Sequence, residues 1–206
     1  VERGNGGGLH LVGVAEVLAE NCVFDRNYTA IDGAAVYAWE ANVSFVNCTF
    51  TQNLALGKGG GVHAVAGAVV DLTNCILWEN AGVVGGPGLA ISPGSVVSVQ
   101  YCDVEGGQAK VYNSLGTLEW NDGNVDVDPL FRDRIGRDFR LQTTPCAGAL
   151  DSRVIDAGTG LDGDLTCLRG LGTVHADMGA YGGPGNVHWS NAVFVPYDQP
   201  DIRAGI

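Results

Sequence analysis

Basic residues are scarce in this 206-residue chain: Lys and Arg together number 11 against 23 Asp and Glu, and lysine occurs only at Lys58 and Lys110. Proteins grip phosphate backbones with clustered cations that displace counterions, and no such cluster stands against the formal net charge of -12, so nucleic acid and other anionic polymers are poor partners. Methionine appears once and strong helix formers are thin, which argues against long surface helices and for an all-β chain. No run of roughly eighteen apolar residues and no charged-then-apolar leader is present, so nothing reads as membrane insertion or targeting. The chain opens at Val1 rather than Met, as a processed protein or an excerpt from a longer one would.

What is abundant is glycine, at 32 residues, and a repeat. Cys22, Cys48, Cys75 and Cys102 step by 26, 27 and 27 residues, the first three each preceded by Asn. Gly7-Gly8-Leu9, Ala34-Ala35-Val36, Gly60-Gly61-Val62 and Pro87-Gly88-Leu89 keep the same beat, as do Asn27, Asn53 and Asn80. Within each period the apolar residues alternate in three bursts, for example Val62-x-Ala64, Val70-x-Leu72 and Cys75-x-Leu77, which is the period of a β-strand. The asparagines fall where the alternation breaks and read as corners, because Asn tolerates left-handed backbone and bonds neighbouring peptides. A fixed period of this length means stacked structural repeats, and three strands per period means a parallel β-helix of about 26 to 27 residues per rung. It should wind right-handed, as parallel crossovers do.

Stacking the periods sets Val17, Val43, Val70 and Val97 in one inward column and Phe24, Phe50, Leu77 and Val104 in another. The four periodic cysteines form a third. Strand spacing keeps their Cβ atoms about 4.8 Å apart, beyond the usual bridge value, so free buried thiols are expected. Cys146 and Cys167 lie outside the repeat, and a disulfide between them would staple a loop-rich segment. His10, Tyr37 and His63 share an outward position with Trp39 close by, which reads either as a surface stripe for sugars or partners or as strand-favouring aromatics. Asp122, Asn124, Asp126 and Asp128 occupy alternate positions, a spacing that lets oxygens converge on Ca²⁺, although no bidentate Glu follows and Asp is also a good turn residue. Beyond that ion no cofactor is implied. Catalytic groupings are not apparent: the outward columns Asp25, Thr51, Trp78, Glu105 and Arg26, Gln52, Glu79, Gly106 hold no acid cluster with a base, and no Ser-His-Asp pattern is visible along the chain.

After Gly107 the period stops. The run Val125-Asp126-Val127-Asp128-Pro129-Leu130-Phe131, then Asp138-Phe139-Arg140-Leu141, Val154-Ile155-Asp156-Ala157-Gly158 and Asp177-Met178-Gly179-Ala180-Tyr181, resembles the choice-of-anchor Q module that closes many bacterial secreted β-helix proteins. The upstream Gly-Gly-Val and Asn-Cys-Thr-Phe turns are similar to those of polymorphic membrane proteins. Two departures stand out: an insertion separates Pro145-Cys146 from Val154, and Gly182 stands where the module has Glu. The resemblance implies export, display at a bacterial cell surface or in the extracellular matrix, and no catalytic residues to carry over.

The chain is therefore divided into β-helix rungs over 1–107, a C-terminal continuation or capping module over 108–186, and an extended tail over 187–206 whose Trp189, Phe194 and Tyr197 pack on its own domain or on a neighbour. The expected function is non-enzymatic, a structural or adhesive protein. The alternative is a carbohydrate-active enzyme, either a polysaccharide lyase or a glycoside hydrolase, or a carbohydrate-binding module. Only Val1 to Asn5 precede the first Gly-rich corner, too few for a polar cap, so either further rungs or a second copy is expected at that end, the latter giving head-to-tail filaments. Itself and surface glycans are the partners implied.

Overall fold

The computed structural model describes residues 4–14, 16–142, 151–159, 175–182 and 193–196, the last as backbone. The first rung carries β1 (Leu9–Val12), β2 (Val17–Glu20), β3 (Cys22–Asp25) and β4 (Tyr28–Thr29). The second carries β5 (Val36–Trp39), β6 (Asn42–Val46), β7 (Thr49–Thr51) and β8 (Leu54–Ala55), and the third β9 (Val62–Val65), β10 (Val69–Thr73), β11 (Ile76–Trp78) and β12 (Ala81–Gly82). The fourth holds β13 (Leu89–Ile91), β14 (Val96–Gln100) and β15 (Asp103–Val104). A short 3-10 turn, Gln108–Lys110, leads to β16 (Tyr112–Asn113) and β17 (Thr117–Trp120), which add to two of the sheets. The hairpin β18 (Phe131–Asp133) and β19 (Asp138–Leu141) and the tail strand β20 (Val193–Pro196) complete the described strands.

Rung stacks on rung in parallel, giving a β-solenoid of about four turns at about 27 residues each. The sheets run β1-β5-β9-β13-β16, β2-β6-β10-β14-β17 and β20-β3-β7-β11-β15, with a narrow fourth sheet β4-β8-β12 at the corner, so each of the first three rungs has a short fourth strand beside the three expected. The inward columns are in register as the period requires: Val17, Val43, Val70 and Val97 pair in sequence, as do Phe24, Phe50, Leu77 and Val104. Phe24 stacks face to face on Phe50 at 4.8 Å. Burying these columns is the main stabilising term, at about 25 cal/mol per Å² of apolar surface.

Two corners turn on left-handed residues. Asn21, Asn47, Asn74 and Tyr101 have φ of 51°, 48°, 53° and 49° at the bend before the third strand. At the next bend the left-handed residues are Arg26, Gln52 and Glu79, one position before the asparagine series. Asn27, Asn53 and Asn80 instead turn inward and form a buried ladder, Asn27 Nδ2 donating to Asn53 Oδ1 at 2.9 Å and Asn53 Nδ2 to Asn80 Oδ1 at 2.8 Å. These side chains satisfy backbone groups that a sharp corner would otherwise orphan.

Residues beyond Trp120 do more than close the stack. Phe131, Phe139, Leu141, Val154 and Met178 form a second apolar cluster with Val23 and Ile76, which point outward from β3 and β11. The corner asparagines hold this covering layer: Asn21 Nδ2 donates to the carbonyls of Ala180 and Gly182, Asn47 Nδ2 to that of Gly182, and Asn74 exchanges hydrogen bonds with Thr159. Asp25 and Thr51, expected on an open outward column, are therefore buried; the Asp25 carboxylate meets Arg137 at 3.2 Å.

Candidate functional site

The outer face of the sheet β1-β5-β9-β13-β16 carries the expected stripe in register, His10 against Tyr37, Tyr37 against His63, His63 against Ala90, and Ala90 against Tyr112. Tyr37 meets His10 and His63 edge to face at 5.2 and 5.7 Å and lies 6.4 Å from Trp39. The stripe is not an open surface, however: Tyr37 and His63 are only 5 % and 3 % exposed, leaving His10 and Trp39 as its accessible members. The cause is the Gly-rich corner, whose backbone folds back along the row. Gly59, at φ 66°, lies so close that a Cβ there would sit 2.8 Å from the His63 Cβ, and Gly33 stands in the same relation to Tyr37. Only glycine meets both the left-handed φ and the close approach.

This packing places three chemically active side chains together. His63 Nε2 lies 2.9 Å from Ser92 Oγ on the next rung, and His63 Nδ1 lies 3.6 Å from Asp32 Oδ2 on the preceding corner. At that distance Nδ1 has no hydrogen bond and is buried. Asp32 is fixed independently, since its Oδ1 accepts the Lys58 backbone N–H at 2.7 Å. Burial pulls the imidazole down to about 4, against which the Asp32 charge pulls upward, with Lys58 adding to the depression. His63 is thus neutral at neutral pH. Burial also raises the Tyr37 phenol, with Asp32 contributing. Lys58 places its ammonium 4.8 Å over the Tyr112 ring, beside an open groove of about 530 Å³ between Gly85-Gly86-Pro87 and Lys110-Val111-Tyr112.

Reading along the chain does not reveal this grouping, because Asp32, His63 and Ser92 come from three rungs and sit on diagonal rather than in-register positions. Laying the sequence on the rung frame brings only Ser92 near His63, as the outward residue two past Ala90, the in-register partner of His63; Asp32 lies on a corner outside the strand register.

The Asp122, Asn124, Asp126 and Asp128 series is spread over separate tasks. Asn124 caps the last rung, its Oδ1 accepting from Cys102 N–H and its Nδ2 donating to the Val99 carbonyl. Asp126 accepts from Gly106 N–H, Asp128 pairs with Arg134 at 3.0 Å, and the Asp122 carbonyl accepts from Tyr101 N–H. Among the described residues no three acidic, His or Cys groups are placed to hold a metal. The nearby Asp103 is fully buried: Val127 N–H donates to its Oδ1, Oδ2 has no partner, and burial lifts the carboxyl to about 8.

Cys22, Cys48, Cys75 and Cys102 line the interior as free thiols, the last three buried and Cys22 half-buried. Cys146 and Cys167 lie outside the described residues, as do Trp189 and Tyr197. The segment 193–196 pairs in parallel with β3 of its own chain, Val193 against Cys22 through Pro196 against Asp25.

The family model described as right handed beta helix region matches residues 1–125. No curated protein and no solved structure matches the chain.

Proposed function

The chain belongs to the right-handed β-helix family, and from that premise we propose that it is a structural or adhesive solenoid, secreted or displayed at a bacterial surface, whose copies join end to end. The fold is shared by enzymes and non-enzymes, so the reading rests on this chain's own geometry. The observation that carries it is the β3–β20 pairing, in which the edge of a solenoid sheet accepts a parallel strand at the position a preceding rung would take. An edge that accepts β20 can accept a strand of a second copy in the same way, and a contact of that kind is heterologous and repeats. Regular stacking and a filled interior make the unit rigid enough to serve as a building element, with Trp39 and His10 left on an outer face for surface glycans. The C-terminal likeness to modules that close exported β-helix proteins supports the placement outside the cell.

Sedimentation velocity over a concentration series, paired with negative-stain imaging, tests this. Concentration-dependent rods one solenoid wide are expected; a monodisperse monomer at all concentrations contradicts it.

A further inference from the structure

Beyond a scaffold role, we propose that Ser92, His63 and Asp32 form an acyl-transfer site that cleaves small acyl esters of hydroxyl groups, such as those on O-acylated glycans. The geometry has the parts in order. Ser92 Oγ lies 2.9 Å from His63 Nε2, and the opposite ring nitrogen faces the Asp32 carboxylate at 3.6 Å. Facing a carboxylate, Nδ1 keeps the proton, which leaves Nε2 bare to accept the Ser92 hydroxyl proton. The 3.6 Å gap is longer than a hydrogen bond, and such contacts tighten when charge develops on the ring. His63 is otherwise a buried imidazole with an unpartnered Nδ1, an arrangement that packing alone does not call for.

The reaction balances without a further reagent. Ser92 Oγ attacks the ester carbonyl while its proton passes to His63 Nε2. The tetrahedral adduct collapses, the acyl–alkoxy bond breaks, and the alcohol leaves with that proton. Water then attacks the acyl-Ser92 ester, giving a proton to Nε2; the acyl–Oγ bond breaks, the carboxylic acid departs, and Ser92 recovers its proton. Ser92 and His63 are the catalytic residues, and Asp32 positions the ring.

The substrate class follows from the surroundings. Ser92 is half-buried just past the end of β13, its N–H donating to the Ala64 carbonyl, so it stands beside Val65. On the other side of Val65, in register, lies Trp39, 40 % exposed. Two strand spacings, about 9.6 Å, separate the backbones of Trp39 and Ser92, a span suited to an apolar sugar face resting on the indole while an acyl group reaches Ser92.

The site is tested on the full chain with a fluorophosphonate probe and mass-spectrometric mapping, and with p-nitrophenyl acetate. Stoichiometric phosphonylation at Ser92 is expected, with acetate release lost at least 100-fold in Ser92→Ala and His63→Gln. Asp32→Asn is expected to lower kcat with KM unchanged. Because burial holds His63 down and the facing charged groups are Asp32 and Lys58, the acid limb of kcat/KM should fall near pH 4 rather than in the ordinary imidazole range. Labelling needs no variant to fold: an unlabelled wild-type Ser92 overturns the proposal, as does turnover that survives Ser92→Ala.

Discussion

Asn53 and Asn80 are joined twice across the rung gap, the Asn80 Oδ1 accepting both the Asn53 side-chain N–H at 2.8 Å and the Asn53 backbone N–H at 3.2 Å. Asn53 in turn accepts from the Asn27 backbone and side chain and donates to the Phe24 carbonyl. Asn53→Ala strips partners from several buried groups at once, each worth about 1–3 kcal/mol when left unmet. A loss of about 3 kcal/mol, or about 6–12 °C in Tm for a chain of this size, is expected in thermal unfolding. A loss under about 1 kcal/mol would contradict the ladder's role.

Ala66 and Gly67 both have positive φ, 55° and 84°, in the turn closed by Ala68 N–H to the Val65 carbonyl. An L-residue without a polar side chain is strained there, whereas Asn-Gly is the favoured pair for such a turn. Ala66→Asn should stabilise by roughly 0.5–1 kcal/mol, read as a raised denaturant midpoint at unchanged slope.

Asp103 gives the fold a pH dependence of definite sign. Its carboxyl is lifted from the ordinary 3.8 to about 8 by burial first, then by the charges of Asp126, Asp128 and Glu105. Between those values the native chain holds a proton that the unfolded chain has released, so stability is full below about pH 4 and falls as pH rises toward 8. Asp103→Asn keeps an acceptor for Val127 N–H and removes the titration. Its Tm should exceed that of the parent by a margin that grows from pH 4 to pH 8; a constant difference would contradict the assignment.

The thiols report on both interior and tail. Cys48 and Cys75 are buried with their thiols held well above the usual range by desolvation, and Cys102 is equally inaccessible, so none of the three should react with an aromatic disulfide reagent in the native chain. Unfolded without reductant, the chain should titrate four thiols, as a Cys146–Cys167 bridge requires; six would refute that bridge.

The repeat made the interior readable. Period and alternation place every inward column, since residues one rung apart occupy equivalent positions and only the apolar set can face inward. The covered outer face of β3-β7-β11 was harder to see, yet Cys22-Val23-Phe24 and Cys75-Ile76-Leu77 are unbroken apolar runs, the mark of a strand buried on both sides. Asn74 was legible as a corner but not as the hook for Thr159, because that hydrogen bond spans 85 residues outside the period. The Asp32–His63–Ser92 grouping escaped for a related reason: it depends on how the Gly59 corner folds over the stripe, a property of backbone placement that no spacing encodes.

The central claim, that the β3 edge is an assembly surface occupied in cis by β20, is tested most directly by comparing the sedimentation of the full chain with that of a chain ending at residue 183. Removing the tail strand frees the edge, so the shortened chain should form longer end-to-end rods at equal concentration. A shortened chain that stays monomeric wherever the full chain does would contradict it.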